Sequence, residues 1–255
     1  MVAAFQIFTM CLATGTVPAV NGGAAKTWSE PVRFHLGSDS NACAILAPGK
    51  SPLVKGGSVK KPLYLWLHGG MRSQKREKGW TAYEGLLPFV NPGSAYLASP
   101  SAYAGSDWLS PEGLSHIEAL LDHLEKNTKA DLSNWILVGV SDGCLGALRY
   151  VRDGKRKPGK VVLISVLPQL VTTSEELKIV PAYREDSRIT WEIFQGEKDR
   201  LFSSEQTFPI LQEWANRNHH VHLHLEKNGE HDFSWWVKHS GRELHQVFSL
   251  PPCGK

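Results

Sequence analysis

Nothing in the chain is as long and apolar as the roughly 18 residues that a membrane-spanning helix requires, so no transmembrane segment is expected. There is no internal repeat, low-complexity tract or long Pro/Ser linker, so nothing marks a domain boundary. Basic charge is thin: 28 Lys and Arg stand against 25 Asp and Glu, a net charge of +3. The densest basic run, Lys155-Arg156-Lys157, is broken at once by Pro158 and Gly159. Nucleic-acid binding needs a basic face well beyond this, so no nucleic-acid partner is expected. Cysteine is scarce at four residues, too few to decide the redox compartment. A charged fraction of 21% beside 42% hydrophobic residues excludes wholesale disorder.

What is present fits one domain. A chain of 255 residues can bury about 70–75% of its unfolded surface, enough core for an enzyme scaffold. Residues 26–255 are read as a single domain. The first 25 residues stand apart, since none is charged and Lys26 is the first that is. Val2-Ala3-Ala4-Phe5 and Ile7-Phe8 lead into Met10-Cys11-Leu12-Ala13, and small residues follow at Gly22-Gly23-Ala24-Ala25. That pattern predicts a signal peptide over 1–25 and a secreted or periplasmic protein. The absent basic n-region, with Gln6, Thr9 and Thr14 diluting the apolar middle, leaves an N-terminal arm on a cytoplasmic protein as the alternative. Beyond the leader, Cys144 is read as a buried thiol. Cys43 and Cys253 either form one bridge from the tail to an early strand or stay as two unpaired thiols.

Apolar, β-rich runs alternate with helical patterns. Strands are predicted at 62–67, 95–98, 135–140, 161–166 and 189–194, with lead-in strands at the sheet edge within 28–47. The runs are continuously apolar rather than alternating, which is the mark of a parallel sheet covered on both faces. Ser110-Pro111-Glu112 supplies a helix start, and Leu114, Ile117, Leu120, Leu121 and Leu124 recur at spacings of three and four. Phe208, Leu211 and Trp214 mark a second helix, and Phe233, Trp236 and Val237 begin a C-terminal one. The order implies an α/β fold, a mostly parallel central sheet with helices on both faces. No long insertion separates the core strands, so no large lid domain is expected. His220, His222 and His224 alternate with apolar residues, and the expected reading is an edge strand with a wet polar face rather than a metal site.

The sharpest chemical signal is Gly139-Val140-Ser141-Asp142-Gly143, directly after one strand and before a helix opening Cys144-Leu145-Gly146-Ala147. A serine on such a tight strand-to-helix turn takes a strained backbone, and its hydroxyl stands above the C-terminal edge of the sheet. The helix N-terminus beneath favours developing negative charge. A serine hydroxyl alone is a poor nucleophile and needs a base and an orienting acid. Asp199, in Gln195-Gly196-Glu197-Lys198-Asp199, follows a strand 58 residues later, and His231, in Gly229-Glu230-His231-Asp232, comes a further 32 residues on. His68-Gly69-Gly70-Met71 follows the strand 62–67, where glycines let an amide point at an acyl oxygen. Gly70 or Met71 would supply that amide, with Gly70 favoured, and Asp142 the second. His68 is read as a brace for the loop.

These motifs resemble the α/β-hydrolase superfamily, over roughly residues 60–240 in motif order. The compact form is similar to the esterase branch that includes dienelactone hydrolases, feruloyl esterases and polyhydroxybutyrate-depolymerase-like enzymes. The resemblance implies Ser141 as nucleophile, His231 as base and Asp199 as acid, acting on a small-molecule or polymeric carboxylic ester without metal or cofactor. Peptide, thioester or acyl-transfer chemistry on the same fold is the alternative, and a non-catalytic binding protein a remote one. Trp80, Tyr83, Tyr103, Trp108, Trp235 and Trp236 are candidates for the pocket wall but fit packing better. Arg72, Lys75, Arg76 and Lys78 are read as a solvated basic loop.

Overall fold

Residues on the central strands serve two cores in turn. Leu63, Leu65 and Leu67 face one, and Tyr64 and Trp66 the other. Leu137 and Val138 divide in the same way, as do Val161 and Val162, and Ile193 and Phe194. This is why the runs read as continuously apolar: a strand covered on both faces has no wet side. A computed structural model describes residues 32–36, 41–46, 59–70, 74–90, 94–103, 107–167 and 189–249. The candidate leader 1–25, Met71, Arg72, Cys253 and the segment 168–188 lie outside the described residues. The candidate Cys43–Cys253 bridge therefore lies outside them too.

Among the described residues, eight strands form one sheet. They are β1 (Val32–Leu36), β2 (Asn41–Leu46), β3 (Lys61–Leu67), β4 (Tyr96–Ser99), β5 (Ala130–Val140), β6 (Lys160–Ile164), β7 (Thr190–Gly196) and β8 (Val221–Glu226). Their spatial order is β1-β2-β4-β3-β5-β6-β7-β8. The β1–β2 and β2–β4 pairings are antiparallel and the other five are parallel, so the expected lead-in strands form an antiparallel edge on a parallel sheet. The helices among the described residues are α1 (Lys78–Ala82), α2 (Pro111–Asn127), α3 (Asp142–Asp153), α4 (Ser204–Arg217), α5 (Phe233–His239) and α6 (Gly241–Phe248). Ile117 and Leu121 of α2, Leu145 and Leu148 of α3, and Leu211 and Trp214 of α4 fill the first core. Trp236 of α5 and Leu244, Val247 and Phe248 of α6 fill the second, so helices cover both faces.

Local chemistry explains the boundaries. Ser110 caps α2 by accepting the Gly113 N–H at 3.0 Å, with Pro111 at the first helical position. The C-terminal helical pattern divides at Ser240-Gly241 into α5 and α6. Strand β6 stops at Ile164, two residues short of the expected end, because Ser165 has φ 56° and leaves the extended region.

The histidine strand is β8, at the sheet edge. His222 Nδ1 and His224 Nε2 both bond Glu192 of β7, at 3.1 and 2.8 Å. From the sequence, no carboxylate or cysteine completes a metal-ligand set with these histidines. The β7–β8 register supplies one, pairing Glu192 with His222. Among the described residues no group of three or more His, Cys, Asp or Glu is arranged to hold a metal ion.

Candidate active site

Parallel strands place their C-terminal ends on one edge, and the chemistry-bearing residues follow those ends in turn: His68 after β3, Ser141 after β5, Asp199 after β7 and His231 after β8. Ser141 has φ 53° and ψ −121°, in the left-handed region that non-glycine residues avoid at a cost of about 1–3 kcal/mol. The turn is held by bonds on both sides. The Ser141 N–H donates to Ile164 O of β6 and the Cys144 N–H to Ser141 O, each at 2.9 Å. The Cys144 thiol, buried and 3.2 Å from Gly139 O, ties the first turn of α3 back to β5. Burial pushes that thiol up, so it stays protonated and inert.

The two glycines of the motif are required by closeness rather than by dihedral freedom. A β-carbon on Gly143 would lie 2.0 Å from Leu67 O, and one on Gly139 2.6 Å from Gly143 O. Helix α3 therefore rests directly on strands β3 and β5, and this contact sets the height of Ser141 above the sheet.

The structure brings Ser141, His231 and Asp199 together. His231 Nδ1 lies 2.8 and 3.0 Å from the two Asp199 carboxylate oxygens, and Nε2 lies 2.8 Å from Ser141 Oγ. A carboxylate only accepts, so Nδ1 carries the proton and the neutral ring accepts the Ser141 hydroxyl at Nε2. Asp199 is 5% exposed. Burial works to raise its carboxyl, but the His231 bond and the Phe202 and Leu201 N–H groups, both at 2.9 Å, outweigh it and hold the carboxyl below the usual range. The Gln195 amide adds a fourth donor at 3.2 Å. The Phe202 ring stands edge-on to the His231 ring at 4.8 Å.

The loop after β3 completes the site. A β-carbon on Gly69 would lie 3.0 Å from Ser141 Cβ, so this backbone runs against Ser141, and Gly70 follows with φ +67°. His68 is 3% exposed and accepts the Ala102 N–H at Nε2 at 3.0 Å. Its Nδ1–H therefore donates to Gly69 O at 2.9 Å. In a planar trans peptide the next N–H points opposite the carbonyl. Fixing Gly69 O thus fixes the direction of the Gly70 N–H. The brace expected of His68 takes this form, reinforced by Trp108 Nε1, which donates to His68 O at 3.0 Å. On the other side of Ser141, the Asp142 N–H opens helix α3, at the positive end of the helix dipole.

Burial is the main force on His68 and takes it from 6.5 down to about 4. The bond to Gly69 opposes this, and the Lys78 charge adds to it. The unfolded chain protonates this residue near 6.5 and the folded protein excludes the proton until about 4. The stability it contributes is full above pH 6.5 and is lost as pH falls to 4, on the order of 3 kcal/mol. Urea unfolding at pH 7, 5.5 and 4.5 should show this fall in the wild type and a shallower one in His68→Gln. Equal pH slopes would refute it.

Other singled-out residues separate cleanly. Tyr83, Tyr103, Trp108 and Trp236 are buried packing groups. Trp80 lies under the Arg33 guanidinium at 4.5 Å, and Trp235 stacks on His239. In the basic loop Lys75 and Arg76 are exposed, Arg76 over the Tyr103 ring at 5.0 Å, while Lys78 is half-buried beside Gly70. Sequence reasoning missed Gln195 and Ser165. Each is a polar residue at or just past the end of an apolar strand, but residue type alone does not show which partner it meets.

No protein-family model and no curated protein matches the chain. Solved structures do. An S-formylglutathione hydrolase from Staphylococcus aureus is 13% identical with a TM-score of 0.64, and the alignment covers 92% of this chain and all of that one. A fluorophosphonate-binding serine hydrolase from Staphylococcus aureus is 14% identical at 0.63, over 89% of this chain and all of that one. A ferulic acid esterase is 18% identical at 0.62, over 88% and 98%. The chain has the α/β-hydrolase fold. In this α/β-hydrolase fold β5, α3 and the turn between them hold Ser141, and the loops after β7 and β8 bring the acid and the histidine to it.

Proposed function

We propose that the protein is a serine hydrolase that cleaves carboxylic esters through an acyl-Ser141 intermediate. The observation that carries this reading is the unbroken chain of hydrogen bonds from Asp199 through His231 to Ser141 Oγ, ending on a strained turn beside the Gly69-Gly70 backbone. His231 takes the Ser141 proton as Oγ attacks the acyl carbon. The Gly70 and Asp142 N–H groups receive the developing oxyanion, each contributing about 3 kcal/mol. The intermediate collapses as His231 returns the proton to the leaving alcohol, giving the acyl-enzyme. Water, deprotonated by His231, then attacks the acyl carbon, and collapse releases the acid and restores Ser141. Asp199 keeps Nδ1 protonated throughout. Leu201, 68% exposed, and Phe202 beside His231 form an apolar lip suited to a hydrocarbon portion of the ester.

Peptide, thioester and acyl-transfer chemistry share the same acyl-enzyme. A comparison of turnover on p-nitrophenyl acetate and butyrate, acyl-CoA and aminoacyl anilides separates them. The ester reading expects kcat/KM on the short esters to exceed that on the anilides by at least 100-fold. Higher turnover on anilides or acyl-CoA would overturn it.

A further inference from the structure

Two non-glycine residues among those described have a left-handed φ, and they end neighbouring strands. One is Ser141; the other is Ser165, at φ 56°. The two are built alike. The Ser141 N–H extends the β5–β6 ladder to Ile164 O, and the Ser165 N–H extends the β6–β7 ladder to Phe194 O, both at 2.9 Å. Glycine would occupy the second position without strain. The chain instead spends a fully buried serine there, and a buried residue held in a disfavoured conformation calls for something the side chain does.

The Ser165 hydroxyl donates to the backbone carbonyl of His231 at 2.8 Å and accepts from Trp236 Nε1 at 3.3 Å. His231 precedes α5, whose first turn is closed by the Trp235 N–H donating to Asp232 O. The His231 carbonyl thus lies one residue outside that turn, and Ser165 is its hydrogen-bond partner. The imidazole is oriented at its ring by Asp199 and Phe202, and at its backbone by Ser165. Trp236, on the next turn of the same helix and fully buried, fixes the hydroxyl in the rotamer that reaches the carbonyl.

Resting on the hydrolase reading above, we propose that Ser165 is a positioning residue that holds the backbone of His231 so that Nε2 stays within hydrogen-bond reach of Ser141 Oγ. It touches no substrate atom. Proton transfer depends steeply on this geometry, since a displacement of about 1 Å costs on the order of 100-fold in rate. The contact acts on the chemical step and not on substrate binding, so its loss falls on kcat.

The test compares Ser165→Ala and Ser165→Gly with the wild type. Both lack the hydroxyl, but glycine relieves the strained φ while alanine retains it. We expect kcat on p-nitrophenyl butyrate to fall 10- to 100-fold in both variants, with KM within about twofold and the rate of fluorophosphonate labelling at Ser141 lowered by the same factor. A purely structural residue gives a different pattern, in which the unstrained glycine variant keeps wild-type kcat. Thermal unfolding checks folding, and Ser165→Gly carries the test if the alanine variant fails to fold. A labelled wild type with the folded variants labelled and turning over as fast, or with KM raised and kcat kept, overturns the Ser165 assignment alone. A wild type that the fluorophosphonate leaves unlabelled overturns the hydrolase reading, and this proposal with it.

Discussion

Ser141→Ala is expected to lower kcat on p-nitrophenyl esters by about 10⁵- to 10⁶-fold, the scale seen when a serine nucleophile is removed. The fold should survive, because the hydroxyl contributes little to structure. Its hydrogen-bond contact is His231 Nε2, and it makes no cap to helix α3. Alanine carries the same Cβ through the same strained φ, so the turn is neither relieved nor worsened. The ring nitrogen left behind is on a half-buried residue that water can reach. Thermal unfolding should shift by no more than a few degrees, while turnover drops to the background set by binding and the oxyanion donors. Loss of activity with loss of folding would say nothing about nucleophilicity, so both are measured on the same sample. Turnover within tenfold of wild type in a folded variant would refute the assignment.

Asp199→Asn is expected to cost about 10⁴-fold in kcat at neutral pH with KM little changed. The reason lies in the four donors around this carboxylate. Oδ1 receives the Leu201 and Phe202 N–H groups, and Oδ2 receives the Gln195 amide. His231 Nδ1 spans both oxygens. In asparagine the oxygen stays with the two backbone amides, so the NH₂ group faces His231. Two donors cannot meet there, and the ring answers by moving its proton to Nε2. It can then no longer accept the Ser141 proton. A decrease smaller than about tenfold would mean that Asp199 does not set the tautomer.

The sequence carried the site to the extent that its residues end apolar strands. Ser141, Asp199 and His231 were each legible because a glycine-bearing turn follows a recognisable strand and the order along the chain fits one edge of a parallel sheet. The brace role of His68 was legible from its place beside two glycines. Ser165 was not, for a physical reason: its role depends on β6 lying between β5 and β7 and on a left-handed φ, and neither leaves a trace in residue type. Glu192 was hidden in the same way, since only the β7–β8 register shows that it faces His222. The strand boundaries that shifted did so where hydrogen bonding, not composition, decides. Strand β5 starts at Ala130, five residues before the apolar run, because its leading residues pair with Lys61 and Pro62 of β3 across an irregular register.

The central claim is that one serine hydroxyl is made nucleophilic by its neighbours, and covalent capture tests it most directly. Intact-mass and peptide mass spectrometry after brief exposure to a fluorophosphonate should find one adduct per chain, on the peptide carrying Ser141, absent from Ser141→Ala and strongly slowed in Asp199→Asn. A wild-type protein that emerges unmodified, or that carries the adduct on another residue, would contradict the account.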